Sequence, residues 1–409
     1  MLKNEHGVLY KGMNLFSYPN VLHRTDKFFI SLLFTQYLTM KKICFIAKTA
    51  PRYREAIFKA MDAEFDIDWY FGETKSDIKE MDTTELKNVH YYKIWGNSNK
   101  CSWKRGVIPL LFKKEYQNIM MHVETRAVSD WILVLLKSIF FPKKKLVTWA
   151  HGWYGKESRV EAAMKLWLYR RLNQIFVYGQ HAKNMMVAKG IPEEKIFVIH
   201  NSLHYDEQKA LRESIKPSDI YKSHFGNDYP VLVFIGRLTK VKKLDQLLAA
   251  LRILMQTGEN YNLVFVGNGT EKEALEQITQ SEGLSDRVWF YGACYDEKTN
   301  AELLYNADLC VAPGNIGLTA MHSLVFGCPC VSHNSFEWQM PEFEAIREGV
   351  TGSFFKMNNV ESLAECISKW FATKKNKREE VRLACFKEID TSWNPYFQMN
   401  VLRNNLKLV

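Results

Sequence analysis

A buried strand, a basic turn and an amphipathic helix follow one another in VLVFIGRLTKVKKLDQLLAALRILM, residues 231–255. Residues 231–235 are all apolar, which predicts a strand covered on both faces. From Leu244 to Met255 the apolar residues recur at helical spacing, which predicts a helix packed against that strand. This order of strand, loop and helix is typical of doubly wound α/β construction, in which ligands bind at the carboxyl ends of the strands.

The same alternation continues on both sides of residues 231–255. Upstream, the predicted strands are 43–47, 67–71, 146–150, 175–178 and 196–199, and the predicted helices are 56–61, 128–140, 161–172 and 182–188. Downstream, the predicted strands are 263–266, 288–291, 309–312 and 329–332, and the predicted helices are 271–279, 297–305 and 318–326. A polar stretch that includes Lys216-Pro217-Ser218-Asp219 separates the two series and predicts a linker. We therefore predict two Rossmann-like parallel-sheet domains facing a cleft, over 40–205 and 229–390, with a linker over 206–228.

The composition is that of a globular protein with an uneven distribution of charge. Of 409 residues, 47% are apolar and 24% are charged, which excludes a disordered or fibrous chain. Residues 1–220 carry 35 of the 55 basic and 23 of the 45 acidic side chains, so their formal charge is +12, whereas that of the rest is −2. This asymmetry indicates an anionic partner for the first half.

Other features of the chain bear on its compartment. The eight cysteines have no zinc-ligand spacing, which favours a reducing cytoplasm and no metal site. The longest apolar stretches, 28–40 and 131–141, are shorter or more interrupted than the roughly 20 residues that a spanning helix needs. Residues 1–39 lack the features of a secretory signal. We interpret them as a leader, either a non-native start or a loose appendage.

A basic turn follows the strand 231–235. Gly236 at the end of that strand allows the backbone to approach a ligand closely. Arg237 as a planar fork and Lys242 as a point charge are suited to converge on a diphosphate. The alternative is a solvated basic turn, but the position between strand and helix favours phosphate binding.

Two further glycine-bearing loops end strands on the same predicted edge. Gly267 and Gly269 follow the strand 263–266. The candidate donor-binding residues after the strand 309–312 are Gly314, Asn315, Ile316, Gly317, Leu318 and Thr319. Free N–H groups of this second loop, at the start of a predicted helix, would form an anion site. On the alternative interpretation the glycines only permit tight turns.

Taken together, these segments resemble the group 1 retaining glycosyltransferases, which have the GT-B fold. The resemblance runs from about residue 42 to the end of the chain and is strongest over 170–352. It includes residues 177–203, IGRLTKVKKLD at 235–245, VGNG at 266–269 and residues 311–332. It implies transfer from a nucleotide-diphosphate sugar with retention of configuration, no metal, no cofactor beyond this co-substrate, and a C-terminal helix, 391–409, that crosses back to the first domain.

One departure from the family is evident. The family's hallmark is a pair of glutamates seven residues apart, and alignment places Gly314 and His322 at those two positions. His322 either hydrogen-bonds the ribose diol or is an ordinary helix residue, and both interpretations stay open. We expect Glu342 or Glu344 to contact donor hydroxyls, the alternative being acids that start a helix.

On the first domain, the resemblance implies that His151, after the strand 146–150, contacts the donor sugar and the reacting centre. It assigns Arg52, Tyr53 and Arg54 to an acceptor-side loop suited to a sugar pyrophosphate. The triple lysine 143–145 is expected either to contact an anionic membrane surface or only to increase solubility.

The sequence thus predicts a metal-independent hexosyltransferase that modifies a glycan or a lipid-linked glycan. The expected setting is bacterial polysaccharide synthesis, such as capsule, lipopolysaccharide O-antigen or exopolysaccharide, in the cytoplasm or at the inner face of the plasma membrane. A non-catalytic GT-B subunit that keeps the nucleotide-sugar pocket is the alternative, because both hallmark glutamates are missing. Nucleic-acid binding is not expected, since the basic half carries no nucleic-acid motif.

Overall fold

Two β-sheets with helices on their faces make up the part of the chain that the computed structural model describes, residues 42–73, 79–97 and 100–408. The described residues belong to one compact unit that begins at Lys42. The predicted leader, 1–39, lies outside the described residues. No helix within the described ranges is long and apolar enough to cross a membrane.

The first sheet is parallel apart from one edge pair. Its strands, in the described residues, are β1 (Ile43–Ala47), β2 (Ile67–Glu73), β3 (Asn88–Asn97), β4 (Cys101–Lys104), β5 (Asn118–Met121), β6 (Lys145–Ala150), β7 (Gln174–Val177) and β8 (Ile196–Val198). Their order is β4-β3-β2-β1-β5-β6-β7-β8, and only β3 and β4 pair antiparallel. All five strands predicted here are confirmed to within two residues. The sequence missed β3, β4 and β5.

Helices connect the strands of the first sheet. They are α1 (Glu55–Glu64), α2 (Val107–Leu110), α3 (Val128–Phe140), α4 (Arg159–Arg170) and α5 (Gln180–Ala188). The four helices that the sequence predicts here are confirmed as α1, α3, α4 and α5. Local capping explains one start: Ser158 accepts a hydrogen bond from the Glu161 N–H and so begins α4.

The segment predicted as a linker, 206–228, contains two helices. They are α6 (Tyr205–Ser214) and α7 (Ile220–Phe225). Each is anchored by long-range contacts: Arg212 forms an ion pair with Asp390 at 2.8 Å, and the buried Tyr221 hydroxyl donates to the Leu303 carbonyl oxygen at 2.6 Å. The sequence did not predict these helices because the segment is polar and residues far along the chain stabilise them.

The second sheet is wholly parallel. Its strands are β9 (Val231–Ile235), β10 (Asn262–Val266), β11 (Val288–Gly292), β12 (Leu309–Ala312), β13 (Cys330–His333) and β14 (Gly352–Phe355), in the order β11-β10-β9-β12-β13-β14. Its helices are α8 (Asp245–Gln256), α9 (Lys272–Ser281), α10 (Glu297–Asn306), α11 (Thr319–Val325), α12 (Val360–Lys374) and α13 (Arg378–Ser392). The predicted strands and helices of this half are confirmed. The sequence missed β14, α12 and α13.

The last helix, α14 (Pro395–Asn405), joins the two halves. Asn394 caps it by accepting from the Phe397 N–H, and Pro395 occupies its first turn. Met399 and Leu402 pack into the core around β1 and α1, whereas Trp393 just before the helix packs into the core of the second sheet. The helix therefore belongs structurally to the first sheet although it follows the second.

Candidate functional site

Three glycine loops meet at the carboxyl edge of the second sheet. A Cβ on Gly267 would lie 1.9 Å from the Gly236 carbonyl oxygen, and a Cβ on Gly314 would lie 2.0 Å from that of Val241. A Cβ on Gly269 would lie 2.2 Å from the Leu238 oxygen. All three distances are too short for a real side chain. Glycine at these positions therefore lets the loops pack against one another. The structure thus brings the predicted loops together, with backbone contact as the reason for their glycines.

Lys242 lies at the centre of these loops. Its Nζ donates to the Asn315 carbonyl oxygen at 2.5 Å, and the Gly314 N–H donates to the Lys242 carbonyl oxygen at 2.9 Å. Burial, with a smaller contribution from the charge of Arg237, lowers the pKa of Lys242 to about 8. Arg237 is exposed, and no described residue accepts a hydrogen bond from its guanidinium or pairs with it. We call Arg237, Lys242 and the turn 314–318 the cationic corner.

The turn 314–318 is held mainly by its own contacts. The Ile316 N–H donates to Gln339 Oε1 at 3.0 Å, and the Thr319 hydroxyl donates to the Ile235 carbonyl oxygen at 2.9 Å. Ile316 and Thr319, predicted to bind the donor, therefore use these polar groups to shape the loop. Gly317 and Leu318 keep N–H groups that donate to no described residue. Because α11 spans only seven residues, the positive charge of the corner comes mainly from Arg237 and Lys242.

His322 has a carboxylate partner that the sequence did not reveal. Its Nε2 lies 3.0 Å from Glu297 Oε1, and Gln208 Nε2 donates to the same oxygen at 2.7 Å. Burial opposes ionisation of Glu297, but the hydrogen bonds from His322 and Gln208 hold its pKa below the usual range. One ring nitrogen of His322 is thus committed to Glu297, and the other forms no hydrogen bond with a described residue. A carboxylate is therefore present beside this position although the family's second glutamate is absent.

Glu342 is a buried carboxylate with one unused oxygen. It lies in the short 3-10 helix Pro341–Ala345, and its Oε1 accepts from Asn201 Nδ2 at 3.0 Å. Its Oε2 is buried and has no hydrogen-bond partner among the described residues. Burial raises the pKa of Glu342, against the hydrogen bond from Asn201 and the charges of Lys242 and Arg54. The predicted donor contact is thus placed next to the cationic corner.

Glu344 was expected to contact donor hydroxyls, but its carboxylate binds the start of a helix. Its two carboxylate oxygens accept from the N–H groups of Gln180 at 2.7 Å and His181 at 2.6 Å, at the start of α5. A Cβ on Gly179 would lie 2.5 Å from one of these oxygens, so this residue allows the close approach. Glu344 caps a helix of the first sheet from the second half of the chain, which stabilises the contact between the halves.

His151 lies at the end of β6 among aromatic rings. Its ring centroid is 4.9 Å from that of Tyr178 and 6.0 Å from that of Tyr154. Burial, with smaller contributions from the charges of His122 and Arg54, lowers the pKa of His151 to about 3. The imidazole is therefore neutral near pH 7, and it is able to donate or accept a hydrogen bond without carrying a positive charge.

In the predicted acceptor loop, Arg54 turns its guanidinium toward buried aromatic rings. Its guanidinium carbon lies 5.3 Å from the ring centroid of Trp149 and 5.2 Å from that of Tyr178. Arg54 Nε, Trp149 Nε1 and the Tyr178 hydroxyl are buried and have no partner among the described residues. Arg52 is exposed, and Tyr53 lies beside Arg54. Buried polar groups are normally hydrogen-bonded, so this cluster indicates a ligand or water site.

A polar cavity of about 430 Å³ adjoins His151 within the first sheet's half. Its lining includes His122, Glu124, Arg126, His151, Tyr154 and Lys165. Burial lowers the pKa of His122 to about 4, so its ring is also neutral. Apart from His151, these lining residues were not chosen from the sequence, because they come from two separate loops and from α4. No cluster of His, Cys, Asp and Glu in the described part of the chain is arranged to hold a metal.

The fold and the cleft-edge loops define a class of protein. The chain has the GT-B fold. It superposes on a glycosyltransferase of Rickettsia africae with a TM-score of 0.67 and 14% identity, covering 91% of this chain and 100% of that one. It also superposes on the Anabaena protein HepE, solved in complex with UDP, with a TM-score of 0.65 and 17% identity, covering 89% and 99% of the two chains.

Family models assign both halves. The model described as Glycosyl transferases group 1 matches residues 216–384, and the model Glycosyltransferase Family 4 matches residues 59–207. These matches, with the fold, support a glycosyltransferase of the group 1 type. An uncharacterized glycosyltransferase of Methanocaldococcus jannaschii is 27% identical over 236 residues, 54% of this chain and 57% of that protein.

A second curated relative matches a shorter stretch. The GDP-mannose-dependent alpha-(1-6)-phosphatidylinositol dimannoside mannosyltransferase of Mycobacterium tuberculosis is 36% identical over 104 residues, 25% of this chain and 26% of its own length. The matched part of the chain thus spans about half the length of the first relative and about a quarter of the second.

Proposed function

We propose that this protein transfers a sugar from a nucleotide-diphosphate sugar to a glycan or lipid-linked glycan, with retention of configuration and without a metal ion. The observation that carries this proposal is the cationic corner: Arg237 and Lys242 lie near each other at the carboxyl edge of a parallel sheet, and neither forms an ion pair with a described carboxylate. A cation such as Lys242, which is partly withdrawn from water and pairs with no described carboxylate, favours an anionic ligand.

The leaving diphosphate is the group that this corner fits. As the bond between the anomeric carbon and the phosphate oxygen breaks, negative charge grows on the diphosphate. Arg237 offers a planar fork of N–H donors, and Lys242 offers a charge held in place by the Asn315 carbonyl oxygen. A bound phosphate also favours the protonated lysine. These cations would supply the stabilisation for which other transferases use a metal.

The sugar of the donor would lie between the corner and the first sheet. Glu342 Oε2 is suited to accept a hydrogen bond from a sugar hydroxyl, which would replace the glutamate missing at Gly314. Neutral His151 is suited to donate to another hydroxyl. The acceptor would enter from the polar cavity beside His151, with Arg54 close to the reacting face. The departing diphosphate would then take the acceptor proton on the same face of the sugar.

The relatives support a nucleotide sugar without indicating one base. HepE was solved with UDP, whereas the mycobacterial relative is described as dependent on GDP-mannose. A structure of a lipopolysaccharide outer core galactosyltransferase, WaaB, also superposes, with a TM-score of 0.61 and 14% identity. We keep bacterial polysaccharide synthesis, at the cytoplasmic face of a membrane, as the proposed setting.

The test is turnover of a panel of UDP-, GDP- and ADP-sugars by the wild type and two variants. Arg237→Ala is expected to lower kcat/KM by about 100-fold, because one donor to the developing charge is lost. Arg252→Ala is the matched control: this arginine is also exposed, but it pairs with Glu282 on the helical side of the same half. Equal rates for Arg237→Ala and the wild type would contradict the proposal.

A non-catalytic subunit remains the second candidate, favoured by the absence of a glutamate at both hallmark positions. It predicts that nucleotide sugars raise the melting temperature while no donor is consumed in the presence or absence of added glycan acceptors. Addition of EDTA distinguishes metal-free from metal-dependent transfer, because metal-free transfer predicts an unchanged rate.

A further inference from the structure

Helix α3 (Val128–Phe140) has its charged residues on the inside. Asp130 is fully buried and accepts from Lys104 Nζ at 2.8 Å, and the buried Lys137 donates to Asn173 Oδ1 at 2.9 Å. The solvent-facing side is apolar instead, with Ile139 59% and Phe140 65% exposed. The inward side also buries Leu133 and Val134, so α3 is apolar on both sides, whereas an ordinary surface helix has a charged side outward. We call the exposed residues Val128, Leu135, Ile139 and Phe140 the outer face of α3.

Aromatic residues extend this apolar surface at both ends. Trp131 stacks on Trp167 of α4 with ring centroids 5.1 Å apart. At the other end, the exposed Phe112 packs edge-on against Phe141 at 5.1 Å. The surface is therefore contiguous across three chain segments. Contiguous apolar patches of this kind mark interaction sites.

Basic side chains surround the apolar surface. The exposed ones are Arg126, Lys113, Lys114, Lys143 and Arg171. Arg171 lies over Trp167, with 3.8 Å between its guanidinium carbon and the ring centroid. The exposed acid beside them is Glu115, whose carboxylate lies 3.9 Å from Lys113 Nζ. An apolar centre with a basic rim is complementary to an anionic bilayer surface.

The triple lysine 143–145 contributes less than the sequence suggested. Lys144 is buried, and its Nζ donates to the carbonyl oxygens of Lys113 at 2.5 Å and Tyr116 at 2.8 Å. Lys145 donates to the Lys407 carbonyl oxygen. Lys143 alone of the three is exposed, so the apolar surface of α3, within the stretch 131–141 that the sequence showed to be apolar, is the main feature.

We propose that the outer face of α3 and its basic rim dock on an anionic lipid bilayer, with the apolar side chains at the level of the headgroups. The surface begins beside the polar cavity: Thr125 and Arg126 line that cavity, and Trp131 Nε1 donates to the Thr125 carbonyl oxygen at 2.9 Å. A lipid-linked acceptor is able to keep its chain in the bilayer while its polar head enters the cavity. This last step deepens the proposed function and rests on it, whereas the docking itself does not.

The experiment is co-sedimentation of the full chain with vesicles, in the absence of substrate. Vesicles of phosphatidylcholine with phosphatidylglycerol are expected to bind the protein more tightly than vesicles of phosphatidylcholine alone, and added salt should weaken the binding. The double variant Ile139→Glu/Phe140→Glu should bind anionic vesicles on the order of tenfold more weakly, because it places charge where apolar groups insert. Both positions are exposed, so folding is expected to be retained.

Leu383→Glu is the matched control, since Leu383 is 63% exposed on α13, in the other half of the chain. It should bind vesicles like the wild type. Lys114→Glu/Lys143→Glu should weaken binding to anionic vesicles and leave binding to neutral ones unchanged. Wild-type protein that does not prefer anionic vesicles, or an Ile139→Glu/Phe140→Glu protein that binds them equally well, would overturn the inference.

A second copy of the chain is the competing occupant of this surface. Light scattering that shows a wild-type dimer and a monomeric Ile139→Glu/Phe140→Glu variant would assign the surface to self-association and overturn membrane docking. Donor turnover is measured on the same samples with a water-soluble acceptor. Turnover without vesicle binding overturns only the docking, and vesicle binding without turnover of any donor overturns only the proposed function.

Discussion

Lys242 shows how burial prepares a residue for a ligand. Its ammonium group is withdrawn from water and placed near Arg237, which lowers its pKa to about 8. The charged form is needed to attract a diphosphate, and a bound diphosphate in turn favours that form. Below pH 8 the free protein already carries the charge, whereas above pH 8 donor binding must take up a proton.

We therefore predict that donor affinity weakens as pH rises through about 8. Calorimetric titration of the nucleotide sugar across this range measures the dissociation constant at each pH. Lys242→Arg is the informative variant, because a guanidinium stays charged and its dependence on pH should be flatter. The same steep dependence in both proteins would show that another group titrates.

Glu342 and Glu344 are two residues apart and are predicted to respond in opposite ways to the loss of charge. Glu342→Gln removes a buried carboxylate with an unpartnered oxygen, so the melting temperature should stay the same or rise while kcat/KM falls by about tenfold or more. Glu344→Gln should lower the free energy of unfolding by about 1 kcal/mol, because it weakens the cap on α5. Thermal melts with parallel turnover assays measure both effects.

Glu213→Gln serves as the control for these two variants, since Glu213 is exposed at the end of α6 and neither effect is expected there. A lower melting temperature for Glu342→Gln with normal turnover would mean that Glu342 is structural and that the donor sugar is bound elsewhere.

At the level of elements, the strands that the sequence revealed are those with uninterrupted apolar residues. β9 and β12 are buried along their whole length and match their predicted bounds. β3 was missed because it lies near the edge of the sheet, where most of its residues are exposed and polar residues interrupt the apolar ones. Helices α6 and α7 were missed for a related reason, since their stability comes from contacts with residues far along the chain.

The candidate site also contains features that the sequence predicts and features that it does not. The loops at the carboxyl edge of the second sheet were predictable, because a parallel sheet brings its strand ends together. The capping of α5 by Glu344, the pairing of His322 with Glu297 and the outward apolar side of α3 were not. Each depends on which side chains meet across the fold, and local sequence does not contain that information.

Across the whole molecule, α14 ties the first sheet to the end of the chain. Arg403 forms an ion pair with Glu64 on α1, and Gln398 Nε2 donates to the His200 carbonyl oxygen at 3.0 Å. The Ser202 hydroxyl donates to Gln398 Oε1 at 2.6 Å in a buried pair. These contacts connect residues between 196 and 339 positions apart. The first sheet's half is therefore incomplete without α14.

Leu402 tests this dependence because its side chain is fully buried between α14 and the first sheet's core. Leu402→Ala is expected to lower the free energy of unfolding by about 2 to 5 kcal/mol, through lost burial and the cavity left behind. Asn404→Ala, two residues further on at an exposed position of the same helix, should change it by less than about 0.5 kcal/mol. Denaturant titration followed by tryptophan fluorescence measures both changes. Trp69 and Trp149 lie in the same core as Leu402, whereas Trp393 lies in the core of the second sheet. If the two halves unfold together, Leu402→Ala shifts a single transition. If they unfold independently, the transition of the first half moves to lower denaturant and that of the second half stays unchanged. An unchanged titration would mean that α14 docks without stabilising the first sheet.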